Sequence, residues 1–106
     1  MVLVFVSLES AEIARKIAKT ILTDKLGFTA KILPEVTSFR SNENDEIVER
    51  KETLLLISTK SVLYSSIEDK ISEIVNHRKS LIYSVPISQM SQAFFEHVQH
   101  DTLINA

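Results

Sequence analysis

The 106-residue chain contains no cysteine and no tryptophan, one glycine and two prolines. Without cysteine there is no disulfide, thiol nucleophile, CxxC redox pair or thiolate metal site. A single glycine rules out GxGxxG and Walker-type phosphate loops, and neither a G-x-S-x-G elbow nor an HExxH helix is present. An excess of either charge is also lacking. The 12 Lys and Arg against 14 Asp and Glu leave a net charge of −2, which gives no electrostatic footprint for nucleic acid or an anionic membrane. No apolar run reaches membrane length, and Met1 leads into VLVFV without a basic n-region or a small-residue cleavage site. An uncleaved, cytoplasmic protein is the expectation. Aromatic residues make up 7% of the chain and the central strand candidates are aliphatic, which argues against an RNA-stacking sheet.

What is present, 44% hydrophobic and 25% charged residues, fits one domain over residues 1–106 with its own core. The chain is organised around Phe28 to Thr59. Two strand-like arms, FTAKILPEVTSFR and EIVERKETLLLIST, flank the polar tip Ser41-Asn42-Glu43-Asn44-Asp45, the pattern of a β-hairpin. The first arm would span roughly 43 Å at ~3.3 Å per residue, more than a small domain can cover. The distal part, Val36 to Val48, is therefore expected to project and to find hydrogen-bond partners on another copy. Pro34 cannot donate to a ladder, so a bulge and a change of strand neighbour are expected there.

Val2 to Val6 is an apolar run expected to form a central strand covered on both faces. Ser7 or Ser10 caps a helix whose apolar positions are Ala11, Ala14, Ile17, Ala18, Ile21 and Leu22, and Gly27 stands where a left-handed C′ residue belongs. Thr59 or Ser61 caps a second helix with Leu63, Tyr64, Ile67, Ile71, Ile74 and Val75 as its stripe, ending near Asn76 or His77. Ser80 to Val85, closed by Pro86, reads as a fourth strand. A last helix runs from Ser88 or Ser91 to Gln99, and Asp101 to Ala106 are expected to be loosely held.

The order βαββαβ with a trailing helix is an α+β, ferredoxin-like split βαβ, with both main helices on one face of a four-stranded sheet. The apolar strands still turn side chains to the other face. Leaving that face wet forgoes several kcal/mol at ~25 cal/mol per Å² of apolar surface, and a homo-oligomer packed sheet against sheet recovers it.

Particular segments carry a family likeness. Leu26 to Ser38, LGFTAKILPEVTS, follows "L-x-A-C-V-N-I-x-P-x-V-x-S"; Glu46 to Glu52 follows "K-I-E-E-D-x-E"; Leu54 to Thr59 follows "L-L-I-K-T"; Phe94 to Val98 follows "Y-L-x-W-I". In these the chain resembles the CutA, or divalent-cation tolerance, proteins over almost its whole length. The resemblance implies a small ferredoxin-like homotrimer with interlocking hairpins and inward-facing sheets. It also implies a role in tolerance of divalent metal ions, copper especially, as a binding or signalling scaffold rather than an enzyme. The chain departs from the pattern at Thr29 and Lys31, where the family has Cys and Asn, at Asn42 and Glu43 in place of hairpin aromatics, and at Ser58 in place of Lys. Of "H-P-Y-x-x-P-x-I" only His77 remains, followed by Arg78-Lys79.

Three histidines are metal candidates, as ligands for Cu(II) or another divalent ion held weakly. His97 and His100 are spaced i, i+3 on the last helix, close enough to chelate a borderline cation, and His77 corresponds to the family histidine. A competing reading makes His97 and His100 solvated residues favoured by the helix dipole. Glu46, Glu49 and Glu52 beside Arg50 and Lys51 suit cross-strand or intersubunit ion pairs better than acid/base chemistry. The alternative function is a PII-like trimeric sensor that takes a small anionic ligand or nucleotide at subunit clefts, through basic residues such as Lys31, Arg50, Lys51 or Arg78.

Overall fold

A computed structural model of the chain describes residues 1–76 and 81–104. The elements in chain order are β1 (Val2–Leu8), α1 (Ala11–Thr23), β2 (Thr29–Ser41), β3 (Ile47–Thr59), a 3-10 turn (Ser61–Leu63), α2 (Tyr64–Ile74), β4 (Leu81–Pro86) and α3 (Gln92–Asp101). The four strands form one antiparallel sheet in the order β2-β3-β1-β4, the ferredoxin-like arrangement expected from the sequence. Among the described residues, no helix is long and apolar enough to cross a membrane.

Burial along β1 alternates strictly. Val2, Val4, Val6 and Leu8 are buried with Leu55 and Ile57 of β3, against Ala14, Ile17 and Ile21 of α1 and Ile67 and Ile71 of α2. Within the chain the strand is thus covered on one face, the two main helices packing on the same side as expected. The opposite face carries cross-strand rows. Lys31, Leu56, Phe5 and Tyr83 form one, and Leu33, Leu54, Ser7 and Leu81 the next. Phe5 and Tyr83 stack with ring centroids 5.1 Å apart. Leu33, Leu81, Tyr83 and Val85 remain 42%, 53%, 55% and 39% exposed.

The hairpin outruns the sheet. β3 pairs with β1 only from Thr53 to Thr59, whereas its pairing with β2 continues out to Ser41↔Ile47. The distal half is therefore a two-stranded ribbon, and it lengthens the molecule to 47 × 30 × 20 Å. The radius of gyration, 14.7 Å, exceeds the ~13 Å of a compact domain of this length. At Pro34 the register shifts, so that Pro34 and Glu35 together oppose Thr53 in a bulge, with Glu35 at φ 56°. β2 keeps β3 as its neighbour on both sides of this bulge, so no exchange of partner occurs within the chain. The tip is closed by Asn42, whose Oδ1 accepts the N–H groups of Asn44 and Glu46 at 2.9 and 3.0 Å.

Three local expectations are corrected. The left-handed residue ending α1 is Lys25 (φ 57°), not Gly27. The Lys25 N–H donates to the Leu22 carbonyl at 3.1 Å and the Leu26 N–H to the Ile21 carbonyl at 2.9 Å, a complete Schellman closure two residues before the glycine. Gly27 is required for space. A Cβ there would lie 2.7 Å from Ile57 Cγ2 and 3.1 Å from Ile21 Cγ2, both on fully buried side chains. Neither Thr59 nor Ser61 caps α2 through its side chain. Thr59, fully buried, donates its hydroxyl to the Leu26 carbonyl at 2.6 Å, tying β3 to the end of α1. Thr102 and Leu103 are held, not loose, while Asn105 and Ala106 lie outside the described residues. Thr102 is buried with its hydroxyl on the Val98 carbonyl at 2.6 Å, and the Leu103 N–H reaches the Lys25 carbonyl at 2.9 Å. Ser10 and Ser91 cap α1 and α3, the former one of two residues expected to do so and likewise the latter.

Replacing Gly27 by Ala forces two buried isoleucine methyls aside, and overpacking of this kind costs about 1–3 kcal/mol. Urea unfolding of Gly27→Ala should show a loss in that range with an unchanged slope. Unaltered stability would mean that Ile57 repacks freely.

Candidate functional site

The helix α3 and the segment leading into it pack across one end of the sheet, where β1 begins, β3 ends and β2 leaves the α1 turn. Phe28 organises this end. Its N–H donates to the Ser58 carbonyl at 2.8 Å, and its ring takes two residues spaced i, i+3 on α3. Phe94 meets it edge-on at 5.9 Å, and the His97 imidazole stacks on it at 5.3 Å and 7°. His97 Nδ1 lies 3.2 Å from Asp101 Oδ2 one turn on. The C-terminus of α3 is held by one cation: Lys60 Nζ donates to the carbonyls of Gln99, Thr102 and Leu103 at 3.2, 3.3 and 3.0 Å.

For the metal candidates, the structure gives His97 a fixed plane and an occupied Nδ1, which leaves Nε2 as the atom open to a cation. His100 stands in the last turn of α3, favourably placed for the helix dipole. His77 lies outside the described residues. Among the described residues, no group of three or more His, Asp or Glu gathers as a metal site. Within the chain Lys51 has a neutral partner, its Nζ donating to Thr37 Oγ1 at 2.7 Å across the ribbon. The Tyr64 phenol, which donates to the Ile82 carbonyl at 3.5 Å, is held above its ordinary pKa by burial and then by the charge of Glu68. It is a neutral structural hydroxyl at physiological pH.

Among the described residues, three clefts bear on function. Arg40 and Arg50 line two of them, one of about 470 Å³ reaching the tip at Asn42 and one of about 540 Å³ reaching back to Ser7 and Glu9. The third, about 580 Å³, lies between the open sheet face and the approach to α3. Thr29, Lys31, Ser58, Gln89 and Ser91 are its polar lining; Leu3, Leu56, Ile87, Met90 and Phe94 supply the apolar one. Sequence reasoning singled out Thr29, Lys31 and Ser58 as departures from a motif but missed that they meet. Register was the available signal, because a hairpin tip at 42–46 sets Thr29 opposite Ser58 once one bulge residue is allowed for. Nothing local to Lys60 or Phe28 signalled their roles, which depend on where α3 docks.

The chain matches the family described as CutA1 divalent ion tolerance protein over residues 2–101. It is 25% identical, over 93% of its length and 95% of the relative, to the divalent-cation tolerance protein CutA of Thermus thermophilus. The human protein CutA is 22% identical over 92% of this chain and 54% of that protein. Among solved structures, the T. thermophilus protein superposes with a TM-score of 0.87, covering 96% of this chain and 99% of that one at 25% identity. CutA1 from Oryza sativa gives 0.89 at 19% identity, covering 98% of this chain and 94% of that one, and so shares the fold.

Lys60→Met removes the ammonium shared by three carbonyls while keeping the stem. Amide hydrogen exchange in α3 should quicken about tenfold, corresponding to local destabilisation of ~1.4 kcal/mol, with the β1 and β3 amides unchanged. Equal protection in α3 would show that Lys60 adds nothing to its docking.

Proposed function

The chain belongs to the family of CutA1 divalent ion tolerance proteins, and on that footing we propose that it is a homotrimeric binding scaffold in divalent-cation tolerance rather than an enzyme. The observation that supports assembly is the bare sheet face, where Leu33, Leu81, Tyr83 and Val85 are each more than a third exposed. The ribbon edge adds to it. Asn42 directs its N–H inward to the Glu46 carbonyl at 2.9 Å, so by the alternation of the ladder the N–H groups of Thr37 and Phe39 point outward, where a second copy can accept them. Interlocked hairpins and inward-facing sheets use both features. Three copies rather than two follows from the family resemblance.

Copper or another divalent cation is bound weakly in this reading, through His97 and His100 of α3 and through His77. With two histidines of one helix as the described donors, a tight tetrahedral site is incomplete. A second reading, a small anion at subunit clefts, draws support from Arg40 and Arg50 lining two clefts along the ribbon.

Light scattering on the purified protein should give the mass of a trimer at micromolar concentration; a monomer there refutes the assembly. Thr37→Pro removes an outward donor and leaves the inner ladder intact, so it should dissociate or destabilise the assembly while the protomer stays folded by circular dichroism. A trimer as heat-stable as the parent would put the interface elsewhere.

Calorimetry should find Cu(II) or Zn(II) affinity in the micromolar range or poorer, abolished in a variant combining His77→Ala, His97→Ala and His100→Ala. Nanomolar affinity, or none at millimolar metal, overturns this. A thermal shift with nucleotides and none with metals favours the anion reading.

A further inference from the structure

We propose that the hairpins of neighbouring copies join through a charged socket: Arg40 and Arg50 on the ribbon of one copy receive the carboxylates of Glu43 and Asp45 from the hairpin tip of the next. This rests on the homo-oligomeric reading above and assigns the polar contact that the reading leaves open.

The two arginines lie on a face that association buries. Along β3 the side chains of Leu54, Glu52, Arg50 and Val48 follow one another at period 2, so the open sheet face continues onto the ribbon. Arg40 stands opposite Val48, and Arg50 opposite Ser38, which makes the arginines diagonal neighbours on that face, about 7–8 Å apart at the backbone. Both line the same two clefts. Glu43 lines one of these clefts, Glu9 and Glu52 the other, yet among the described residues no ion pair engages either guanidinium. Like charges side by side on a face that packs against another copy call for carboxylates from outside the chain, because a cation taken out of water without a partner is strongly unfavourable.

The tip carries the complementary charge. From Thr53, the last residue of β3 that β1 supports, the ribbon runs roughly 20 Å to Ile47 at ~3.3 Å per residue, so the tip stands clear of the body of its own chain. Asn42 closes the turn by accepting the N–H groups of Asn44 and Glu46, and its amide donates to Glu46 Oε1 at 3.4 Å, which engages Glu46 within the turn. Glu43 and Asp45 are exposed and form no ion pair among the described residues. Two carboxylates on a closed turn match two guanidiniums, each of which can hold a carboxylate by a fork of two hydrogen bonds. Such a contact is heterologous, the tip of one copy on the ribbon of the next. Repeated around a closed ring, it uses every tip and every socket once. Glu43 is also one of the positions where the chain departs from the CutA-type motifs.

Charge reversal in analytical ultracentrifugation tests the socket. Arg40→Glu with Arg50→Glu, and separately Glu43→Arg with Asp45→Arg, should each raise the concentration of half-dissociation at least tenfold. Combining all four changes restores opposite charges and should return it to within threefold of the parent. Either double variant assembling like the parent, or the combination doing no better than the doubles, overturns the proposal. A monomeric parent overturns the assembly reading and the proposal with it, whereas a trimeric parent indifferent to both doubles fails the proposal alone. Arg50→Lys adds a second measurement, because zero-length carbodiimide coupling then reports which carboxylate touches position 50. In a sample mixed from light and isotope-labelled chains, that position should couple to Glu43 or Asp45 of the other label. Coupling confined within one label, or none, overturns the proposal. So does saturable binding of inorganic phosphate by the parent that is lost in Arg40→Glu with Arg50→Glu while assembly is unchanged, which would give the socket to a free anion.

Discussion

A strand of 13 residues laid against one of 7 must leave part of itself without a neighbour on that side. This mismatch between β3 and β1 governs much of the remaining structure. Where β1 supports it, β3 is the second strand of a buried sheet and carries Leu55, Ile57 and Thr59 into the core. Beyond Thr53 it has only β2, and the same strand becomes half of an exposed ribbon in which every residue from Ile47 to Lys51 is exposed. The bulge at Pro34 and Glu35 falls at this junction, opposite Thr53, so the change of support and the change of register coincide. A bulge increases local twist, which lets the ribbon leave the plane of the sheet there.

Much of the fold was legible because periodicity reports burial directly. The stripes of α1 and α2, the alternation of the strands and the hairpin turn each reflect one face seeking cover, and the structure provides that cover on the helix side. Reading failed where two explanations share one residue type. Gly27 has the signature of a left-handed cap, yet Lys25 adopts that conformation and Gly27 serves the close approach of Ile57. Whether a glycine provides conformation or space depends on what crosses near it, and a linear sequence does not contain that information. Thr59 likewise looks like a helix cap but spends its hydroxyl on Leu26, a partner 33 residues away.

The site region was less legible for the same reason. His97 was identified from its spacing with His100, whereas its nearest fixed partners are Phe28 and Asp101, the first of them on the far side of the chain. Lys60 follows the last residue of β3 and reads as an ordinary surface charge; only the docking of α3 turns it into a latch for three carbonyls. Thr29, Lys31 and Ser58 were visible singly as departures from a motif. Their meaning arises from cross-strand register, which joins residues 29 positions apart into one surface.

The ribbon also bears on how a newly made chain avoids the wrong company. Its outer edges present unsatisfied backbone groups and the exposed side chains of Phe39 and Ile47, at 63% and 68%, a template on which any extended segment can add. Interleaved with them are Arg40, Glu49, Arg50 and Lys51, all exposed and of both signs. Charged side chains spaced along an edge act as gatekeepers: a stranger in arbitrary register must set like charges opposite one another or bury one unpaired, whereas a partner in the right register need not. The segment that leaves the protomer most open to aggregation thus carries its own selectivity against it.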